Sequence, residues 1–251
     1  SFRRSIRHQG PMRTHTHWTG LTASDRNASV AMGNFDGVHL GHQSVIILAA
    51  QHGGPLGVVT FEPHPRQFFA PAAPAFRLMN SEARAHRLAK LGVEQLYELP
   101  FDATLAGMSA EDFVAEVLVK GLGVSNVTVG SDFCFGKGRM GTVATLQDLG
   151  RHFGFGVTIA DLVKFEGLEV SSTNIRTALA EGRPRDAARM LGHWHRIESE
   201  VIHGEKRGRE LGYPTANMGV DGLHLPKLGV YAVKVDVLTG PQAGTYGGAA
   251  S

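Results

Sequence analysis

Apolar runs of five or six residues alternate with longer amphipathic stretches through the first two-thirds of the chain. The runs predict strands over 29–33, 56–61, 95–99, 125–130 and 155–160. The stretches predict helices over 42–51, 81–91, 109–120 and 142–153. In the third helix, Ser109 supplies an N-cap and Gly121 a stop signal. This alternation indicates an α/β fold, in which a parallel sheet carries helices on both faces.

The pattern changes near residue 190. Two more helices are predicted over 173–181 and 184–191, the second opened by Pro184 and ended by Gly192. Strands then follow one another without helices, over 196–203, 213–218 and 229–238, which indicates part of a small β-barrel. We therefore expect three regions: a tag remnant or disordered leader at 1–11, an α/β domain at 12–190 and a partial β-barrel domain at 191–251.

Composition narrows the class of protein. The 251 residues are 42% hydrophobic and 19% charged, as in ordinary globular proteins. A net charge of +2 without a dense Lys/Arg stripe argues against a dedicated nucleic-acid binder. The single cysteine, Cys134, excludes an internal disulfide and suits the cytoplasm. No signal peptide and no apolar run of the ~18–20 residues that a membrane helix needs is present. We expect a cytoplasmic protein without nucleic-acid or membrane partners, for which a weak homo-oligomer is possible.

Residues 30–43 carry the strongest chemical signal. A strand ends in the Gly-rich turn 33–37, and His39 and His42 follow where a helix begins. A helix start offers unpaired N–H groups and a positive dipole end, so it can hold phosphate. Two imidazoles there can donate hydrogen bonds to charge that develops during attack on phosphorus. Two ordinary loop histidines are the alternative. A zinc site is disfavoured because no cysteine pair or third nearby ligand completes it.

Two more loops follow predicted strands. His64 lies between two prolines in the segment 60–65, which presents it at the sheet edge or simply forms a rigid turn. The segment 130–139 combines a carboxylate, two aromatic rings, glycines and two cations, and so could stack a planar ring while contacting a phosphate. A mobile surface loop with Phe133 packed inward is the alternative there.

Two later segments are also candidates. Residues 171–176 begin a helix with hydroxyls and free amides, forming a second anion site with Arg176 one turn in. Plain N-capping by Ser172 or Thr173 is the alternative, although it leaves Arg176 unexplained. In the segment 204–217, three glycines permit close approach to phosphates, and Thr215 and Asn217 offer oxygen ligands suited to Mg²⁺. A glycine-rich hairpin loop is equally compatible with that pattern.

Taken together, these blocks resemble the prokaryotic bifunctional FAD synthetases, in which a riboflavin kinase is joined to an FMN adenylyltransferase. The similarity runs from about Ala28 to the last residue, through Gly-Asn-Phe-Asp-Gly-Val-His-Leu-Gly-His, Thr-Phe-Glu-Pro-His-Pro, Asp-Phe-x-Phe-Gly, Ser-Ser-Thr-x-Ile-Arg and Pro-Thr-Ala-Asn. The resemblance implies a Rossmann-like nucleotidylyltransferase domain that makes FAD and pyrophosphate from ATP and FMN. It also implies that the barrel phosphorylates riboflavin to FMN with a second ATP and Mg²⁺.

The resemblance assigns roles to residues of this chain. The catalytic set would be His39, His42 and Arg176. ATP would be bound in the first domain by Gly33, Asn34, Phe35, Asp36, Gly41, Ser171, Ser172 and Thr173. The flavin would be contacted by His64, Asp132, Phe133 and Phe135. The kinase nucleotide would be held by Gly204, Gly208, Arg209 and Pro214, and the metal by Thr215 and Asn217.

The chain departs from the family in two places. It stops at Ser251, where the family's barrel continues and carries the glutamate that acts as the kinase base, so we expect no competent kinase. Thr142 stands where an acidic residue is usual, which puts little in doubt.

Two other functions remain as alternatives. One is an adenylyltransferase for another phosphorylated cofactor precursor, a pantetheine or nicotinamide mononucleotide. The Asp132-Phe-Cys-Phe loop and the appended barrel argue against it. The other is an inactive flavin- or nucleotide-binding regulatory module. A complete catalytic set argues against that reading.

Overall fold

A computed structural model of the chain describes residues 10–202 and 215–251, and its centre is a six-stranded sheet. The strands are β1 (Arg13–His15), β2 (Ser29–Met32), β3 (Leu56–Glu62), β4 (Gln95–Pro100), β5 (Asn126–Gly130) and β6 (Gly156–Ala160). Their order is β1-β4-β3-β2-β5-β6, and every pair is parallel. The α/β prediction is confirmed. Strand β1 was not predicted because its sequence, Arg-Thr-His, has no apolar run.

Eight α-helices connect and cover the strands in the described part of the chain. They are α1 (Leu40–Ala50), α2 (Pro65–Phe69), α3 (Ser81–Lys90), α4 (Ala103–Ala106), α5 (Ala110–Asp112), α6 (Val143–Phe153), α7 (Ser172–Ala180) and α8 (Pro184–Leu191). Helix α5 continues as π-helical turns over Phe113–Gly121. Helices α2 and α4 were not predicted, because four or five residues are too few for a periodic pattern. None of the described helices has the length and apolar character that a bilayer crossing requires.

Buried side chains form one layer on each face of the sheet. Val30 of β2 packs into one layer with residues of the π-helical segment, such as Val117, and with Leu146 of α6. Its neighbour Ala31 packs into the other layer with Ile46 of α1 and with side chains of α3. Because successive side chains of a strand point to opposite faces, a strand buried on both sides is apolar throughout. This is why short, unbroken apolar runs correctly predicted the central strands.

The order in which successive strands are added to the sheet changes direction between β2 and β5. From β2 the chain moves through α1 to β3 on one side, whereas from β5 it moves through α6 to β6 on the other. In open parallel sheets a ligand crevice lies beyond the carboxyl ends of the strands at such a point. The β2–α1 turn and the loop after β5 both lie at this end of the sheet.

The remaining strands are short and antiparallel. They are β7 (Lys164–Phe165), β8 (Leu168–Glu169), β9 (Val201–Ile202), β10 (Asn217–Met218), β11 (Tyr231–Val237) and β12 (Gly244–Ala250), paired as β7–β8, β9–β10 and β11–β12. The strands after α8 are consistent with a partial barrel. The prediction of a strand over 196–203 was wrong for 196–200, where the Glu198 carbonyl instead accepts a hydrogen bond from Asn80 at 2.7 Å. Strand β12 escaped prediction because its sequence, Gly-Thr-Tyr-Gly-Gly-Ala-Ala, lacks apolar alternation.

Candidate active site

His39 and His42 cap the start of α1 reciprocally. The Nδ1 of His39 accepts a hydrogen bond from the backbone N–H of His42, and the Nδ1 of His42 accepts one from the N–H of His39, both at 3.3 Å. The rings stack with centroids 3.5 Å apart. A neutral imidazole that accepts at Nδ1 carries its proton on Nε2. The cap therefore sets the same tautomer in both rings and leaves two Nε2–H groups as donors for a ligand.

Both imidazoles are neutral at physiological pH. Burial, with smaller effects from the charges of Arg176 and His193, lowers the pKa of His39 to about 4. Burial also lowers the pKa of His42 well below its usual value, with smaller effects from His39 and Arg84. Each neutral ring still carries its Nε2–H group, so the pair can donate hydrogen bonds to phosphate oxygens.

The β2–α1 turn has a backbone that only close packing can maintain. Phe35 and Val38 have positive φ angles of 53° and 45°, which is uncommon for residues with a Cβ and costs about 1–3 kcal/mol each. Phe35 is buried, and its ring lies at 62° to the His42 ring with centroids 5.2 Å apart. Gly41 lies close to His39, and a Cβ there would come within 3.0 Å of the Cε1 of His39, so that the ring would have to shift slightly. The turn therefore holds the imidazole pair in one arrangement.

Asp36 joins this turn to α7. Its Oδ1 accepts a hydrogen bond from the backbone N–H of Leu78 at 2.9 Å, and its Oδ2 accepts one from the Nη2 of Arg176 at 3.1 Å. Its carbonyl accepts a third from the hydroxyl of Ser172 at 2.8 Å. The side chain was predicted to bind ATP, but it is buried and both of its oxygens have protein partners. Asp36 thus joins Arg176 to the turn that precedes the imidazole pair, and its contact with ATP stays a prediction.

Arg176 has two further anchors at the start of α7. Its Nε donates to the carbonyl of Phe76 at 2.7 Å, and its Nη1 lies 3.5 Å from the hydroxyl of Thr173. Ser171 caps the helix by accepting from the N–H of Asn174 at 3.2 Å. The hydrogen bonds of Asp36 to Ser172 and Arg176 bring the start of α7 next to the turn that leads into α1. The helix N-termini, the imidazole N–H groups and the guanidinium are together a set of donors suited to a polyphosphate.

Two buried arginines, Arg77 and Arg84, link the end of β3 to its neighbouring segments. Glu62, at the end of β3, accepts from Arg77 at 2.9 Å and from Arg84 at 2.8 Å. Arg84 is fully buried, and it also donates to Glu98 at 3.0 Å and to the carbonyl of Asn34 at 3.2 Å. Sequence reasoning missed both arginines. An arginine on the buried side of the predicted helix 81–91 was a signal that could have revealed Arg84.

His64 lies near the same group of cations. It caps α2, accepting from the N–H of Arg66 at 3.1 Å. Burial lowers its pKa to about 3, with smaller effects from Arg77, Arg176 and other arginines. The ring of Phe76 joins these groups, since its centroid lies 4.5 Å from the Arg66 guanidinium, 5.3 Å from that of Arg176 and 4.9 Å from the His64 ring. His64 is therefore a neutral group in a positive field.

The loop after β5 is built on a stacked pair of rings. Phe133 and Phe135 are nearly parallel, at 15°, with centroids 5.8 Å apart. Phe135 is only 7% exposed and packs against Phe113, so it belongs to the core and would act on a ligand through Phe133. Phe133 is half-buried and Asp132 is exposed. No hydrogen bond between described residues joins this loop to α1 or α7, and its contact with a flavin stays a prediction.

The predicted kinase residues are described only in part. Gly204, Gly208, Arg209 and Pro214 lie outside the described residues. Thr215 and Asn217 are exposed, and Asn217 begins β10. Within 10–202 and 215–251, no three His, Cys, Asp or Glu side chains are grouped as a metal site.

The reversal point of the parallel sheet and the phosphate-binding chemistry beside it define a class, the Rossmann-like nucleotidyltransferases. Comparison with known families agrees with that class. The FAD synthetase family matches residues 21–174, and the riboflavin kinase family matches residues 191–251. This chain belongs to the family of bifunctional riboflavin kinase/FMN adenylyltransferases.

Individual relatives extend over most of the chain. The bifunctional riboflavin kinase/FMN adenylyltransferase of Pseudomonas fluorescens is 42% identical over 221 residues, which cover 86% of this chain and 71% of that protein. The enzyme of the same description from Listeria monocytogenes is 42% identical over 233 residues, covering 89% of this chain and 71% of the relative. The crystal structure of a Streptococcus pneumoniae protein described as a macrolide-efflux protein superposes with a TM-score of 0.80 at 31% identity, covering 96% of this chain and 78% of that one. The fold is therefore shared along nearly the whole chain.

Proposed function

We propose that this chain transfers the AMP moiety of ATP to FMN, forming FAD and releasing pyrophosphate. The observation that carries the proposal is that the turn leading into the capped His39–His42 pair is joined to Arg176 through the buried carboxylate of Asp36. The membership of the chain in the riboflavin kinase/FMN adenylyltransferase family supports the same reaction.

In this mechanism a phosphate oxygen of FMN attacks the α-phosphorus of ATP. The new P–O bond forms as the bond from the α-phosphorus to the bridging oxygen of the β-phosphate breaks, and pyrophosphate leaves with that electron pair. The Nε2–H groups of His39 and His42 donate to the phosphate oxygens on which negative charge grows. Such a reaction needs positioning and charge stabilisation more than proton transfer, which neutral imidazoles with fixed tautomers supply.

The leaving group would be held by the start of α7. Arg176 and the Ser171–Thr173 segment would bind the β- and γ-phosphates, since a helix N-terminus and a guanidinium both favour anions. Asp36 would act indirectly, by keeping Arg176 in place. Gly33, Asn34 and Gly41 would shape the turn against which the nucleotide lies.

The FMN molecule would be contacted by the loop after β5 and by His64. Phe133 would stack on the isoalloxazine ring, supported from behind by Phe135. The exposed carboxylate of Asp132 could accept a hydrogen bond from the ring. His64, neutral and surrounded by arginines, would border the FMN phosphate.

Residues 191–251 would form part of a riboflavin kinase domain that follows the adenylyltransferase domain of 12–190. The hydroxyl of Thr215 and the amide oxygen of Asn217 are exposed, hard oxygen donors, a chemistry that fits Mg²⁺ alongside nucleotide phosphates. When bound, Mg²⁺ would neutralise phosphate charge. We also propose a cytoplasmic location, where ATP is available, and small molecules as the partners of the enzyme.

The direct test is to incubate the purified chain with FMN, ATP and Mg²⁺, and to separate FAD and pyrophosphate by chromatography. Both products should appear in equal amounts. Retained FMN binding without FAD would favour the inactive binding module. Activity with nicotinamide mononucleotide or phosphopantetheine in place of FMN would favour another adenylyltransferase. A parallel incubation with riboflavin, ATP and Mg²⁺ tests the kinase reaction through the formation of FMN.

A further inference from the structure

A short segment of the region 191–251 forms backbone hydrogen bonds with the region 12–190. The backbone N–H of Arg77 donates to the carbonyl of Gly222 at 3.3 Å, and the N–H of His224 donates to the carbonyl of Arg77 at 2.7 Å. Arg77 and Leu223 thus form a parallel bridge between the two segments. Leu223 is only 6% exposed, whereas Gly222 is exposed and His224 is half-buried. We call residues 222–224 the brace.

The braced segment is the one that holds the candidate catalytic arginine. The carbonyl of Phe76 accepts from the Nε of Arg176 at 2.7 Å. The N–H of Leu78 donates to the carboxylate of Asp36, whose other oxygen accepts from Arg176. Arg77 lies between these two positions in sequence. The segment 76–79 therefore contacts Arg176 and Asp36 on one side and the brace on the other.

The segment needs an external partner. It belongs to the stretch between the end of α2 and the start of α3, which carries no helix or strand. Backbone groups of such a stretch that are buried must find partners elsewhere, and Arg77 is 4% exposed. Both backbone hydrogen bonds of Arg77 among the described residues go to the brace. A second tie lies close by, because the N–H of Lys227 donates to the carbonyl of Leu179 in α7 at 2.9 Å.

We infer that the brace is a positioning element for adenylyl transfer: through the segment 76–79 it keeps Arg176 where the pyrophosphate group must lie. The inference rests on the role proposed for Arg176. It also means that the unit matching riboflavin kinase contributes to the geometry of the other active site. The two units are then not independent in activity.

Leu223→Ala tests the brace, with Leu228→Ala as the matched control. Both variants remove the same atoms, but Leu228 is 91% exposed and lies outside the pairing. Because small displacements of a positioned group can cost up to about 10²-fold, we expect Leu223→Ala to lower kcat for FAD formation by roughly tenfold or more. The Kd for FMN should change less than twofold. Equal losses in the two variants would overturn the inference.

A double-variant cycle separates positioning from general destabilisation. If the brace acts through Arg176, Leu223→Ala should have less than a twofold effect on kcat in a chain that already carries Arg176→Ala. A full tenfold effect in that background would show that the brace acts elsewhere. If Arg176→Ala alone leaves activity within threefold, the role proposed for Arg176 is wrong. If only Leu223→Ala is without effect, the brace is wrong and that role stands.

A second pair of variants decides the matter if Leu223→Ala does not fold. His224→Pro removes the N–H that donates to Arg77, whereas His224→Ala keeps it. The imidazole lies in the field of the site, since Arg176 lowers its pKa and Asp36 raises it, both less than burial lowers it. We expect the proline variant to lose at least threefold more kcat than the alanine variant. Equal losses would assign the effect to the imidazole and overturn the backbone brace.

Discussion

Replacing Asp36 by Asn removes one charge from a buried pair while keeping the shape of the side chain. Asp36 is 2% exposed, and its Oδ2 lies 3.1 Å from Arg176, whose side chain is 16% exposed. Breaking a buried ion pair by removing one partner costs about 3–5 kcal/mol. Since the amide oxygen of Asn can still accept from Leu78, we expect the lower end, a loss of about 3 kcal/mol in the free energy of unfolding.

The same change should impair catalysis more than flavin binding. The amide NH₂ of Asn would face the guanidinium of Arg176, so the arginine would keep its bond to Phe76 but lose its charged partner. Loss of a preorganised transition-state donor costs roughly 10²–10³ in kcat, and a misplaced one costs less. We therefore expect kcat to fall by roughly 10–10²-fold, with the Kd for FMN changed less than threefold.

Urea unfolding and FAD chromatography measure the two effects, with Glu181→Gln as the control. Glu181 also pairs with an arginine, Arg183, but on the exposed surface, where such pairs contribute little. The reasoning fails if the two variants unfold at the same urea concentration. It also fails if Asp36→Asn destabilises the protein and leaves kcat unchanged, because Asp36 would then not position Arg176 for the reaction.

Three further predictions concern the imidazole pair. His42→Ala should lower kcat by roughly 10²–10³-fold, and a fall below threefold would remove His42 from the mechanism. Gly41→Ala should lower kcat about tenfold, because the added Cβ would displace the His39 ring, and should change Tm little, because alanine favours a helix. An unchanged kcat would show that the reaction does not depend on the position of the His39 ring. Finally, His39 has a folded pKa of about 4 against 6.5 in the unfolded chain, so below pH 6.5 the unfolded state binds more protons and stability is lost as pH falls. His39 alone should cost about 2 kcal/mol between pH 7 and 5, and urea unfolding of His39→Gln should show a correspondingly weaker pH dependence.

The central strands and most helices followed from short-range pattern. Strand β5 was predicted over 125–130 and observed at Asn126–Gly130, and α8 was predicted with its observed bounds, Pro184–Leu191. Strands buried on both faces must be apolar throughout, and helix ends must carry caps, so local sequence records both. The start of α1 was placed two residues late, because histidine is an unusual cap and its capping bonds are visible only in three dimensions.

The candidate residues of the site could also be predicted from short sequence motifs, whereas their contacts depend on residues far along the chain. His39, His42 and Arg176 stand in dense motifs of Gly, His, Ser and Thr whose chemistry can be recognised one segment at a time. Asp36 stands in such a motif too, yet its side-chain partners are Leu78 and Arg176, far along the chain, and the sequence did not predict those contacts. The burial of Phe135 against Phe113 was likewise not predicted, and its contact with a flavin stays a prediction.

Local sequence thus determined the central strands, most of the longer helices and the residue types that phosphate transfer needs. It did not determine the partners of Arg77 and Arg84 or the pairing of the brace at 222–224, because these are contacts between segments that no periodicity or motif connects. Hydrogen bonds and buried ion pairs act over about 3 Å, and only folding brings such segments within that distance. The sequence therefore indicated which functional groups are available for phosphate chemistry, and the tertiary packing determined which residues those groups contact.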